Sequence, residues 1–142
     1  MTMKQILTIT LTFITTWIFG QSDFSRITES TDSTYGYTDT NPLKMKKGNH
    51  GRSIGYSYDF MNGLRTHDNQ KLKFLQRSSV DNPKNRKPKV ASAERQLDTA
   101  LTDTEQLDKY IFLTSEKKDT VTIYVDLHHR GSLKFPVGLK HK

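Results

Sequence analysis

The chain has 142 residues, a formal net charge of +7 at pH 7 and no cysteine, and 33% of its residues are hydrophobic. This length suits one domain better than two, and the lack of cysteine excludes disulfides, thiol nucleophiles and cysteine-based zinc sites. The excess of lysine and arginine favours anionic partners, although scattered lysines can equally serve to keep a protein soluble.

The first twenty residues have the pattern of a cleavable export signal. Lys4 supplies a positive charge, residues 6–19 (ILTITLTFITTWIF) form a short apolar stretch, and Gly20 before Gln21 is a small-residue cleavage site. The apolar stretch is shorter than the roughly 20 residues that a membrane span needs. We therefore predict a signal peptide over residues 1–20 and a periplasmic or secreted mature protein with no membrane span.

The residues behind this leader alternate between polar and strand-like patterns. Residues 21–34 (QSDFSRITESTDST) are rich in Ser, Thr and Asp, which predicts a flexible polar tether. Leu43 and Met45 alternate with lysines, which predicts a short half-buried edge strand. Residues 72–76 (LKFLQ) alternate in the same way and predict a second strand.

The main helix is predicted over residues 53–64 (SIGYSYDFMNGL). Ser53 is a suitable N-cap, and Ile54, Tyr58, Met61 and Leu64 fall on one helical face. This face would pack on the sheet.

Residues 77–106 break the pattern and predict a long, basic, mobile insert, because structureless segments of this length are unusual inside a compact domain. Its basic run surrounds Pro88 and consists of Lys84, Arg86, Lys87 and Lys89. Such a run would attract phosphates or other polyanions, although it holds no aromatic residue on which a base could stack. A solvated loop is the alternative interpretation.

The C-terminal third has the clearest strand pattern. Residues 107–114 (LDKYIFLT) and 120–127 (TVTIYVDL) are joined by a polar turn, and residues 132–139 (SLKFPVGL) follow a second turn. Pro136 marks the last of these as an edge strand. We predict a three-stranded antiparallel meander, with the helix and the earlier strands packed on it, in one α+β domain over residues 35–142.

No spacing indicates a catalytic or metal site. The histidines lack ligand partners at metal-binding spacing, so solvated turn residues are the favoured interpretation; they are His50, His67, His128, His129 and His141. There is no GxSxG elbow and no glycine-rich phosphate loop. Asp59, Asp108 and Asp126 could act as acids, but surface solvation or capping explains them equally well. We predict no catalytic residue, no cofactor and no metal.

Several of these segments resemble a family of small exported Bacteroidota proteins. Residues 35–38 (YGYT) with 41–44 (NPLK) look like the opening of that family, and residues 60–64 (FMNGL) look like its FLNAL helix. The carboxyl end is similar as well, in its Leu-Asp-x-Tyr segment at 107–110 and its PVGL segment at 136–139.

The chain departs from this family in two ways. Where relatives carry a GSCCPF-like segment and end their leader at a lipid-accepting cysteine, this chain has no cysteine, and its stretch 81–106 is longer. Members are often named after 2-dehydro-3-deoxyphosphooctonate aldolase, a name that would imply a (β/α)₈ barrel of about 250 residues. A mature chain of about half that size cannot form such a barrel, so the resemblance implies no known activity. The missing lipid-accepting cysteine, in contrast, predicts release rather than anchoring to the membrane.

We therefore expect a monomeric, non-catalytic interaction module of the cell envelope or the medium, whose partner is an anionic envelope component or another protein. The alternative is a small hydrolase or other enzyme whose Asp and His residues are assembled by the fold.

Overall fold

A computed structural model describes residues 23–85 and 106–142 of the chain. The helix α1 spans His50–Gly63. The strands are β1 (Leu43–Lys44), β2 (Leu64–Thr66), β3 (Leu72–Asp81), β4 (Gln106–Thr114), β5 (Thr120–Asp126) and β6 (Leu139–His141), and a short 3-10 turn covers Pro83–Asn85. This arrangement of one helix and small sheets confirms the predicted α+β class.

Four strands form the main sheet in the order β1-β5-β4-β3. β3, β4 and β5 are antiparallel neighbours, and β1 pairs with β5 in parallel. β2 and β6 form a separate antiparallel pair. β1 and β3 are thus the two edges of the main sheet within the described residues.

The predicted meander is correct in type but wrong in its third strand. The third strand of the meander is β3, which pairs with β4. The segment predicted over residues 132–139 lies outside the main sheet and reaches β6 only at Leu139. Pro136 has no N–H to donate to a ladder. The backbone of Phe135 instead exchanges hydrogen bonds with residues 28 and 30 (Phe135 N to Thr28 O, 2.9 Å; Ser30 N to Phe135 O, 2.8 Å).

The helix begins earlier than predicted, because Asn49 and not Ser53 is its N-cap. The Asn49 side chain accepts from the backbone N–H of Arg52 (2.9 Å). Ser53 lies inside the helix, fully buried. The buried face includes Phe60, Met61 and Leu64, whereas Tyr58 is 64% exposed and was wrongly assigned to that face.

The polar tether predicted over residues 21–34 is wrong for the part that the structure describes. Phe24 is 4% exposed and packs against Tyr56, Phe60 and His141, with ring centroids 5.1, 5.4 and 4.8 Å apart. One aromatic residue is enough to anchor a segment that is otherwise polar, since a buried Phe removes a large apolar area from water. Residues 23–30 therefore belong to the folded domain.

The insert predicted over residues 77–106 is shorter than expected at both ends. Residues 77–81 continue β3, and Gln106 already belongs to β4, where it is the partner of Asp81. The register shifts between Phe74 and Gln76, so that a β-bulge changes the face to which later residues point. The alternation of inward and outward side chains is interrupted at this bulge, so it could not predict how far β3 extends beyond Gln76.

The hydrophobic core lies between α1, the main sheet and the N-terminal segment. Its fully buried members include Leu43, Phe60, Leu64, Ile123 and Val125. Among the described residues, no helix combines the length and apolar character that crossing a membrane requires.

Candidate functional site

Only one residue of the predicted basic run lies within the described part of the chain. Lys84 is exposed in the short 3-10 turn, and its backbone N–H donates to Asn82 Oδ1 (3.1 Å). Arg86, Lys87 and Lys89 lie outside the described residues. The predicted site therefore stays a prediction.

The structure assembles a different cluster of cations at the β1 edge of the sheet. We call it the basic edge and define it by five residues: Lys44, Lys46, Lys47, Arg52 and Arg130. Three of them follow or belong to β1, one belongs to the first turn of α1, and one belongs to the loop after β5. Lys44 is partly exposed and the other four are exposed.

Strand pairing brings the β1 cations next to the loop after β5. Lys44 is the register partner of Asp126, and the N–H of Lys46 donates to the carbonyl of His129 (3.2 Å). Gly131 lies directly against the Lys44 side chain, and a Cβ at this glycine would lie 2.7 Å from Lys44 Cδ. Arg130, between His129 and Gly131, is thereby held beside the lysines.

The turn into α1 adds Lys47 and Arg52 to the same edge. The N–H of Lys47 donates to Ser53 Oγ (2.8 Å), so the buried serine holds the turn against the helix. Gly48 has φ +72°, a conformation that glycine adopts without steric cost, and it lies against the Arg52 side chain. The ammonium of Lys47 sits 4.1 Å from the centre of the Tyr56 ring.

The cations of the basic edge are not neutralised by local acids. Within the described residues none of the five forms an ion pair, and the first turn of α1 holds no acidic residue. Asp126 is 3% exposed; its Oδ1 accepts the N–H groups of His128 and His129, and its Oδ2 lies 2.8 Å from His129 Nδ1. The carboxylate of Asp126, the register partner of Lys44, therefore hydrogen-bonds within the loop that carries Arg130.

A second candidate site is a cleft of about 610 Å³ between the N-terminal segment and β6. Its polar groups include Asp23, Glu29, His67, Lys140 and His141, and Phe24 and Phe135 form part of its wall. Nε2 of His67 lies 3.2 Å from both carboxylate oxygens of Glu29. This pairing of titratable groups was not predicted, because the two residues are far apart in the sequence.

The bonds of Glu29 have a structural explanation. The N–H of Gly138 donates to Glu29 Oε1 (2.7 Å), and this bond, together with the nearby His67, holds the pKa of the carboxyl below its usual value. The Lys140 ammonium donates to the carbonyl of His67 (3.0 Å). These contacts fasten residues 29 and 67 to the PVGL turn and β6, so the Glu29–His67 pair first of all joins three parts of the fold.

Three of the remaining residues considered for catalysis or metal binding have structural roles. Asp108 accepts from Arg77 (2.8 Å) across β3 and β4, and Asp126 organises the loop after β5. His141 is packed between Phe24 and Phe135, and its Nε2 is buried without a hydrogen-bond partner among the described residues. The described ranges contain no group of three or more His, Cys, Asp or Glu side chains that could hold a metal ion.

The basic edge was not predicted because its cations come from two separate parts of the sequence. Residues 44–52 (KMKKGNHGR) carry four of the five cations, but the lysines were assigned to the solvent side of an edge strand. Arg130 is distant in the sequence and joins them only through the parallel pairing of β1 with β5. A count of cations gives four over residues 44–52, the same number as in the shorter run at 84–89, so this segment also carried a signal in the sequence.

Comparisons with protein-family models, with curated proteins and with solved structures found no match for this chain. The resemblance to the exported Bacteroidota family therefore stays a prediction.

Proposed function

We propose that this protein is an exported, non-catalytic interaction module that binds an anionic component of the cell envelope through its basic edge. The single observation that carries the proposal is the placement of Lys44, Lys46, Lys47, Arg52 and Arg130 at one edge of the sheet, without ion pairs among the described residues. Unpaired cations on one edge raise the local concentration of anionic groups.

The architecture of the basic edge supports this proposal over a merely solvated surface. The loop carrying Arg130 is fixed by Asp126, and the turn carrying Lys47 is fixed by Ser53. A cluster whose backbone is held by such part-buried hydrogen bonds loses less conformational freedom on binding than lysines on unconstrained loops do. The positive end of the α1 dipole points toward the same region and adds to its attraction for anions.

Vesicle binding tests the proposal. The protein should sediment with vesicles that contain phosphatidylglycerol but not with pure phosphatidylcholine vesicles, and less of it should sediment as salt rises from about 50 to about 200 mM. Neutralising Lys46→Gln and Lys47→Gln together should weaken this binding about 30-fold, since each basic residue near an anionic surface contributes about 1 kcal/mol. Unchanged binding by this double variant would remove the basic edge from the proposal.

The exported state is part of the proposal and rests on the leader pattern of residues 1–20. Mass spectrometry of the native protein should find an N-terminus near Gln21. An intact Met1 on the native protein would contradict cleavage.

The cleft with the Glu29–His67 pair favours a second candidate, a small hydrolase, because a carboxylate beside an imidazole can orient a general base. A panel of chromogenic ester and phosphoester substrates tests it. Turnover that Glu29→Gln abolishes in a folded protein would support the enzyme, and the absence of any turnover by the wild type would count against it.

A further inference from the structure

The edge of the sheet opposite to the basic edge is formed by β3. Its residues Leu72–Asp81 pair with β4 on one side and, within the described residues, with no strand on the other. A strand in this position presents backbone N–H and C=O groups to an incoming chain. All of its side chains except Leu72 are at least partly exposed.

Two large apolar side chains lie next to each other on this edge. Phe74 is 53% exposed and Leu75 is 49% exposed. The ring of Phe74 meets Tyr110 and Phe112 edge-on, with centroids 6.4 and 6.1 Å apart, so one side of it is held by β4 while the rest faces solvent. An added strand would cover both side chains and extend this aromatic contact.

The charges around β3 select the kind of strand that can be added. Lys71, Lys73 and Lys84 are exposed cations without an ion pair among the described residues, whereas Arg77 is held by Asp108 (2.8 Å). Lysines and a bulge on an edge strand discourage pairing with a neutral strand or with a second copy, which would oppose like charges. An acidic strand replaces this repulsion with attraction.

We propose that the open edge of β3 binds an extended segment of another protein in which acidic and aliphatic side chains alternate. The acidic side chains would meet the lysines, the aliphatic ones would cover Phe74 and Leu75, and the backbone would continue the ladder beyond β3. This site lies at the opposite edge of the sheet from the basic edge and does not depend on the function proposed there.

The probe for this proposal is an acetylated, amidated peptide of four Glu-Val repeats, and a Lys-Val peptide of equal length is its control. In NMR spectra of the full chain, the Glu-Val peptide should change the amide chemical shifts and slow the hydrogen exchange mainly of residues 73–80. The Lys-Val peptide should cause neither effect. Phe74→Ser with Leu75→Ser should weaken binding, and because both side chains are exposed, the variant should keep the wild-type spectrum elsewhere.

Two charge-matched double variants separate this site from the basic edge. Lys71→Gln with Lys73→Gln should weaken binding of the Glu-Val peptide about fivefold, whereas Lys46→Gln with Lys47→Gln should leave it unchanged. Three results would overturn the proposal. The two double variants could lose the same affinity for the Glu-Val peptide, or the peptide could shift only the amide signals of residues 43–52 and 128–130. The Lys-Val peptide could also bind as tightly as the Glu-Val peptide. Protection of β3 amides in a dimer without peptide would overturn it in favour of a second copy.

Discussion

The contact between Gly63 and His141 gives the sharpest test of how the core is closed. Gly63 ends α1, and a Cβ at this position would lie 1.7 Å from Nε2 of His141 and 2.4 Å from two further ring atoms. The ring cannot turn aside freely, because Phe24 and Phe135 pack on it with centroids 4.8 and 6.3 Å away. The change Gly63→Ala must therefore displace the imidazole and loosen β6.

The expected cost follows from two opposing effects. Overpacking a well-packed contact typically costs about 1–3 kcal/mol. Replacing glycine by alanine in a helix interior gains up to about 1 kcal/mol, but this gain is small at the last helical residue. We expect a net destabilisation of about 2 kcal/mol, which corresponds to a fall in Tm of roughly 8 °C for a domain of this size.

Urea and thermal unfolding followed by circular dichroism measure this effect, and Gly55→Ala is the matched control. A Cβ at Gly55 meets nothing within 4 Å, so that variant should gain about 0.5–1 kcal/mol. In the background of His141→Ala, the further change Gly63→Ala should cost little. The reasoning is refuted if Gly63→Ala alone is as stable as the wild type or is stabilised like Gly55→Ala.

Substitutions at three further positions test other parts of the account. Phe24→Ala should lower the free energy of unfolding by about 3–4 kcal/mol in urea, whereas a flexible tether would lose almost nothing. Burial, with the charge of Glu29 as a lesser cause, raises the pKa of Tyr37 to about 12. The neutral phenol therefore stabilises the folded state below pH 10, and this stability is lost as the pH rises from 10 to 12. Tyr37→Phe should reduce the fall in the free energy of unfolding over this pH range. The reduction should be about 1 kcal/mol, because the ring is only half-buried and solvent weakens the effect. Asp126→Ala should cost about 2 kcal/mol and bind vesicles more weakly than Asp126→Asn, because both variants remove the same negative charge but only the asparagine keeps an acceptor for the two backbone N–H groups. An equal effect of the two Asp126 variants on vesicle binding would contradict the role given to that loop.

The parts of the fold with local signals were predictable from the sequence. β4 and β5 are regular alternating strands, and their predicted bounds agree with the structure to within one residue. The helix was found, but its start was misplaced, because Asn49 and Ser53 are both good N-caps and only the packing of Ser53 decides between them.

Longer-range features were not predictable, for physical reasons. The bulge after Phe74 breaks the alternation on which the prediction of β3 depended. Phe24 stands alone in a polar segment, so that its burial depends on a site created by Tyr56, Phe60 and His141. The basic edge needs the parallel pairing of β1 with β5, which joins residues about 80 positions apart and leaves no local pattern.

The most direct test of the central claim compares the affinities of two double variants for vesicles containing phosphatidylglycerol. Lys46→Gln with Lys47→Gln and Lys71→Gln with Lys73→Gln lower the net charge equally, but they do so at opposite edges of the sheet. If the basic edge is the binding surface, the first variant should bind about 30-fold more weakly than the second. Equal affinities would show that net charge alone attracts the protein to the vesicle, and would contradict a defined site at the basic edge.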